Sequence, residues 1–207
     1  MDGALLGTRT TTDDTAEEAP VGHDPNADLL EEIITDHREV QEAFATLENG
    51  LGPKQSKELV EKTITELVRH SVVEEMLLYP LTARVLPDGE QIADHEKKDH
   101  AEVERLMKEL EKLEPGTAPF DTTVTMWIRS VRSHIEEEET DLLPRLREAC
   151  EAEQLKELGD QARLLKKVAP TRPHPSTPNS PLAHATVGPL IGLVDRVRDA
   201  VSGRGQS

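Results

Sequence analysis

The chain has 207 residues, 31% charged and only 35% apolar, and 24 basic against 41 acidic residues leave a net charge of −17. A surface that acidic repels phosphate and argues against nucleic acid and anionic membranes as partners, and 2% aromatics are too few for base-stacking platforms. One cysteine, Cys150, excludes an internal disulfide and a cysteine-based zinc or iron–sulfur site. No run of ~18 apolar residues offers a membrane span, and the start of the chain lacks the basic-then-apolar pattern of a secretion signal, so a cytoplasmic setting is the default.

Residues 1–27 are rich in Thr, Asp, Glu and Ala without apolar periodicity and read as an acidic disordered tail. A first helix is expected from about Asp28 to Asn49, with Leu30, Ile33, Val40, Phe44 and Leu47 on its seam and Asn49-Gly50 ending it. A second runs from about Ser56 to Ala83, carrying Val60, Leu67, Leu77 and Leu81, with Pro80 expected to kink or fray its last turns. Pro87-Asp88-Gly89 makes a turn into a third helix, about Glu90 to Leu113, with Val103, Met107 and Leu110 inward. A fourth runs from about Thr122 to Ala149, with Val124, Trp127 and Val131 inward, and a shorter fifth from Glu153 to Val168. Short loops between long helices imply antiparallel neighbours, so residues 28–169 read as an all-α, up-down-up-down four-helix bundle with an added fifth helix. Residues 170–188 are a proline-rich linker. Within 189–207, Leu190, Val194, Val197 and Val201 mark a short amphipathic segment that either stays disordered or docks loosely on the bundle or a neighbouring subunit, as a site of protein partnership or self-association.

The helices repeat. Residues 36–48 match 99–111 at six of thirteen positions, among them Asp36-His37 with Asp99-His100, and His70 to Pro80 matches His134 to Pro144 at five of eleven. Offsets of 63 and 64 residues indicate two duplicated helical hairpins whose matched side chains meet near a pseudo-twofold axis.

Residues four apart share a helix face. On that basis the seams carry His37 and His100 on the first and third helices, and His70 with Glu74 and His134 with Glu138 on the second and fourth. Buried carboxylates need a positive partner, and no lysine or arginine lies in the seams beside Glu74 or Glu138. A metal is the simplest partner. Four imidazoles and two carboxylates exceed one tetrahedral zinc and suit two octahedral ions bridged by carboxylate, iron or manganese by ligand type. Glu96, four residues before His100, faces inward as a further ligand or as an acceptor behind one. His95 is about 140° round the helix from His100 and reads as solvent-facing or as a support behind a ligand. Glu75 and Glu139 read as a solvated face, and Tyr79, about 140° from Glu74 on an ideal helix, turns toward the site only where Pro80 distorts that end and is not assigned as a ligand. His23, His174 and His184 lie in the tails, and Cys150 reads as a packed or exposed thiol.

Taken together, His37, HSVVEEMLLYP from His70 to Pro80, DHAEV around His100 and HIEEEETDLLP from His134 to Pro144 resemble the bacterial hemerythrin-like HHE cation-binding domain proteins, over residues 28 to about 150. The resemblance implies two iron ions in a non-haem, oxo- or hydroxo-bridged centre. His37 would bind one iron and His100 the other, each completed by His70 or His134, with Glu74 and Glu138 bridging; which histidines share an iron is left open. Oxygen-carrying members have five histidines, two of them on the third helix, whereas Glu96 stands four residues before His100 here. The four-histidine set points away from reversible oxygen carriage, toward binding, sensing or consuming oxygen, hydrogen peroxide or nitric oxide. A metal-responsive interaction module, or iron storage or iron-centre repair, is the alternative. A ferritin-like oxidase is disfavoured, because no histidine has an acidic residue three positions before it.

Overall fold

The computed structural model describes residues 24–169. Residues 1–23 of the acidic stretch, the proline-rich segment and the C-terminal amphipathic segment lie outside them. Every regular element among the described residues is helical: α1 (Leu29–Glu48), α2 (Pro53–Val73), a π turn (Glu74–Leu78), α3 (Tyr79–Val85), α4 (Gly89–Leu110), α5 (Ala118–Glu137), a second π turn (Glu138–Leu142), α6 (Leu143–Ala149) and α7 (Ala152–Val168). Each π turn continues the helix on either side, so α2 with α3, and α5 with α6, are two long rods. These rods with α1 and α4 make the four-helix bundle, closed by α1 against α5, and α7 packs on α1 and α2.

Local chemistry sets the helix ends. Asp28 accepts from the Leu30 and Glu31 N–H groups at 2.9 and 3.1 Å, and the Glu31 carboxylate accepts from the Asp28 N–H at 2.9 Å, a reciprocal capping box. Gly50 takes φ +86° just after α1, a left-handed conformation that side chains resist. Proline opens α2 in the first turn, where a missing N–H costs nothing. Helix α4 stops at Leu110, three residues short of the expected Leu113, and Lys57 Nζ donates to the Leu110 and Glu111 carbonyls at 2.8 and 3.2 Å, satisfying its frayed end.

The two internal prolines do not fray their helices. Pro80 and Pro144 have no N–H to give and would clash with the carbonyl four residues back. The chain accommodates each with one π turn just before it. The Tyr79 N–H reaches back five residues to the Glu74 carbonyl, and the Leu143 N–H to that of Glu138. Both π turns begin at a seam glutamate.

The core is split in two. One apolar cluster gathers Val40, Phe44, Leu67, Val103, Met107, Trp127 and Val131, with Phe44 edge-on to Trp127 at 5.0 Å between ring centroids. The other gathers Leu30, Ile33, Leu77, Leu81, Ala93, Leu142, Leu146, Leu155 and Leu165. The four seam histidines and both seam glutamates form the layer between them, all buried.

The last four residues of the acidic stretch belong to the fold: Ala27 is buried, and its carbonyl accepts from Arg163 at 2.7 Å. Helix α7 comes this close because Gly159 has no side chain; a Cβ there would stand 2.4 Å from the Ala27 carbonyl oxygen. Helix propensity alone would have Gly159→Ala stabilise by about 1 kcal/mol. Backbone contact should reverse the sign, and urea denaturation is expected to show a loss of about 1–3 kcal/mol; a stabilised variant would contradict the packing of α7.

Candidate metal centre

The helices bring all six seam residues together. His70 Nε2 lies 2.9 Å from Glu74 Oε1, and His37 Nε2 lies 3.9 Å from the same oxygen and 3.4 Å from Glu138 Oε2. On the other side His100 Nε2 lies 3.1 Å from Glu74 Oε2, and His134 Nε2 lies 3.9 Å from Glu138 Oε1 and 3.3 Å from His100 Nε2. Each glutamate therefore turns one oxygen to each side. The rings pair across helices: His37 and His70 meet edge-on with ring centroids 4.9 Å apart, as do His100 and His134. Donor atoms of His37, His70, Glu74 and Glu138 lie within 4.8 Å of one another, and so do those of Glu74, His100 and His134; each group could hold a metal ion, and Glu74 belongs to both.

Every imidazole is backed by a carboxylate on its outer nitrogen. His37 Nδ1 is 2.9 Å from Glu139, His70 Nδ1 3.1 Å from Asp36, His100 Nδ1 3.2 Å from Glu75 and His134 Nδ1 3.0 Å from Glu96. A carboxylate only accepts, so the contacts of His37, His70 and His100 hold a proton on Nδ1 and turn Nε2 toward the centre, the nitrogen a metal ion would take once its own proton is lost. Glu96 thus sits on the outer side of His134, one of the two roles expected for it. Glu75 and Glu139 are not a solvated face: Glu75 is buried, and Glu139 joins His37 to Arg38. Tyr79 is fully buried, its hydroxyl 2.9 Å from His100 Nε2 and 3.2 Å from Glu138 Oε1. The 140° expected on an ideal α-helix fails because the π turn stacks residue i+5, not i+4, over Glu74. His95 is exposed, 3.1 Å from Glu137.

The electrostatics ask for positive charge. Burial works against a charged His70 and His100, yet Glu74 with Asp36, and Glu74 with Glu75, bring their pKa values up to about 10. Burial alone would raise Glu74, but the same imidazoles hold it well below the carboxylate range. Glu138 is raised by burial and by the charge of Glu74. Glu139 is held to about 2 by its bond from His37 and by Arg38. Burial and the surrounding carboxylates push Tyr79 up, so it stays a phenol. His37 Nε2, both oxygens of Glu74 and Glu138 Oε2 are buried with no hydrogen-bond partner, which costs about 1–3 kcal/mol per group unless something satisfies them. Cations on the two sides of Glu74 would do so, and these residue types fit them.

Residues 28–146, more than half of the chain, match the hemerythrin HHE cation-binding domain. An uncharacterised hemerythrin-like protein of Schizosaccharomyces pombe is 26% identical over 172 residues, covering 83% of this chain and 85% of that protein. A DNA nickase of a Nostoc species is 23% identical over 146 residues, 70% of this chain but 41% of the nickase. No solved structure matches the chain. The split core, the paired histidines around shared glutamates and the matched residues agree: the chain belongs to the hemerythrin HHE cation-binding domain family.

Proposed function

We propose that the bundle holds two iron ions, one between His37 and His70 and one between His100 and His134, bridged by Glu74 and Glu138, and that the pair binds or reacts with dioxygen, hydrogen peroxide or nitric oxide. The observation that carries this reading is the pair of donor groups sharing Glu74. Charge supports it. Glu74, Glu75, Glu96 and Glu138 are buried among imidazoles, and no ion pair among the described residues gives any of them a lysine or arginine. Their four negative charges equal the charge of two divalent cations. Imidazole with carboxylate suits iron.

An iron pair supplies one-electron and oxygen chemistry. The chain supplies the rest. One group offers four protein donors and the other three, fewer than the six of an octahedron, so each would leave room for a small ligand. Glu139, Asp36, Glu75 and Glu96 fix the imidazole planes. Tyr79 offers the site a hydroxyl proton between His100 and Glu138. The apolar clusters on both sides shield the layer from bulk water. The nickase activity named for the Nostoc relative is not carried over, because a chain of net charge −17 repels a DNA backbone.

Two outcomes are expected. Anaerobically reduced, iron-loaded protein mixed separately with oxygen, peroxide and nitric oxide should change its near-ultraviolet and visible absorption with at least one of them; no response to any of the three contradicts the function. Replacing a supporting carboxylate, Asp36→Asn or Glu75→Gln, should weaken metal affinity about 10–100-fold with helicity intact. Titration with a competing chelator measures it, and Cys150→Ser, remote from the centre, should bind as the parent does.

A further inference from the structure

Outside the six central residues, two more groups of metal-binding side chains lie along one face of α4. His95, Asp99 and Glu137 form an exposed group, and Glu96, Asp99 and His134 a buried one, the donor atoms of each within 4.8 Å. The four such groups among the described residues then form a chain. The surface group shares Asp99 with the buried one, which shares His134 with one half of the centre, which shares Glu74 with the other half. A cavity of about 350 Å³ opens over this face, with His95 and Glu137 at its rim and Glu96, Ile92 and Leu142 along it. Arg145 neutralises Asp88 and Asp141 among the cavity's acids, while Glu137 and Glu96 have only the imidazoles of His95 and His134 against them. Glu96 is 3% exposed, and its Oε2, near His134 Nδ1, makes no hydrogen bond of acceptable geometry.

The duplicated half shows what such a position holds. Counting back 63 residues, His95 and Asp99 correspond to Glu32 and Asp36. There α7 delivers a cation: Lys166 Nζ sits 3.1 Å from Glu32 Oε2 and 2.7 Å from Asp36 Oδ1, and Arg163 lies 2.7 Å from Glu32. Asp36 in turn supports His70. One face of the bundle is thus closed by a built-in ammonium. The matching face carries His95 and Asp99, and among the described residues α7 packs on α1 and α2 instead of on this face.

We propose that this open face is the route by which a divalent cation reaches the centre, with His95, Asp99 and Glu137 as its capture site and Glu96 as the relay behind it. The proposal rests on the two-metal reading above. Capture concentrates the ion at the mouth, and it passes inward round the His134 ring, whose Nδ1 faces Glu96 and whose Nε2 faces the centre. His95 and Glu137 have side chains 56% and 48% exposed, so replacing them disturbs no core packing.

The test uses the metal-free full chain and Co²⁺ alone, whose visible absorption reports coordination, in stopped-flow mixing. The double variant His95→Ala, Glu137→Gln should take up Co²⁺ about tenfold more slowly, the low end of what local electrostatics confers on association, with an unchanged end point of two ions and an unchanged melting temperature. His95→Lys, which places on the open face the ammonium that Lys166 provides on the closed one, should slow uptake at least as much. Uptake at the parental rate in both variants overturns the route. A parental rate with a lowered end point also overturns it, because the residues then hold metal without passing it on. Failure of the parent chain to take up Co²⁺ at all would instead overturn the centre, so the two claims fail separately.

Discussion

Four glutamates buried without a lysine or arginine are the constraint on which the rest depends. An uncompensated carboxylate in an apolar interior costs several kcal/mol, and Glu74, Glu75, Glu96 and Glu138 lie within a few ångströms of one another's imidazole partners. The bundle spends its central layer on them and splits its apolar core to do so. Protons on the imidazoles can balance the charge, and the upward pull on His70 and His100 reflects that demand. Metal ions would balance it with the imidazoles neutral, and would also satisfy the unpartnered atoms His37 Nε2, Glu74 Oε1, Glu74 Oε2 and Glu138 Oε2.

Duplication explains how the layer is built, and its imperfections explain what makes the two sides unequal. The matched pairs Glu75 and Glu139 each reach across to support the histidine of the opposite hairpin, His100 and His37. The match breaks at Tyr79, whose counterpart is Leu143, and at Glu96, whose counterpart is Ile33. Both departures fall on the side of His100 and His134. The opposite side instead receives Lys166 and Arg163 from α7, a helix beyond the residues matched to the family. One side of the centre is therefore buttressed by a fixed cation, and the other carries the phenol and the open acidic cleft.

Much of this was legible in the sequence. Seam spacing located the six central residues because a polar residue at an apolar position stands out against a 3.6-residue period, and prolines and glycines bounded the helices. What escaped lay where the ideal helix fails. The π turns before Pro80 and Pro144 are a three-dimensional answer to a missing N–H, and they rotate Tyr79 into the centre against the spacing rule. Glu75 and Glu139 read as solvated because each sits 100° from a seam residue; the signal that could have found them is that both are kept in the repeat, as are Asp36 and Asp99. The pairing of histidines across helices, and the reach of Lys166 and Arg163 from α7, are properties of packing that no local pattern encodes.

The most direct measurement is anomalous scattering from crystals of the iron-loaded chain, recorded on both sides of the iron absorption edge. Two iron peaks per chain are expected, one bounded by His37 and His70 and the other by His100 and His134, with Glu74 and Glu138 between them. A single peak, a peak at the zinc edge alone, or iron away from the layer between the two apolar clusters would contradict the account.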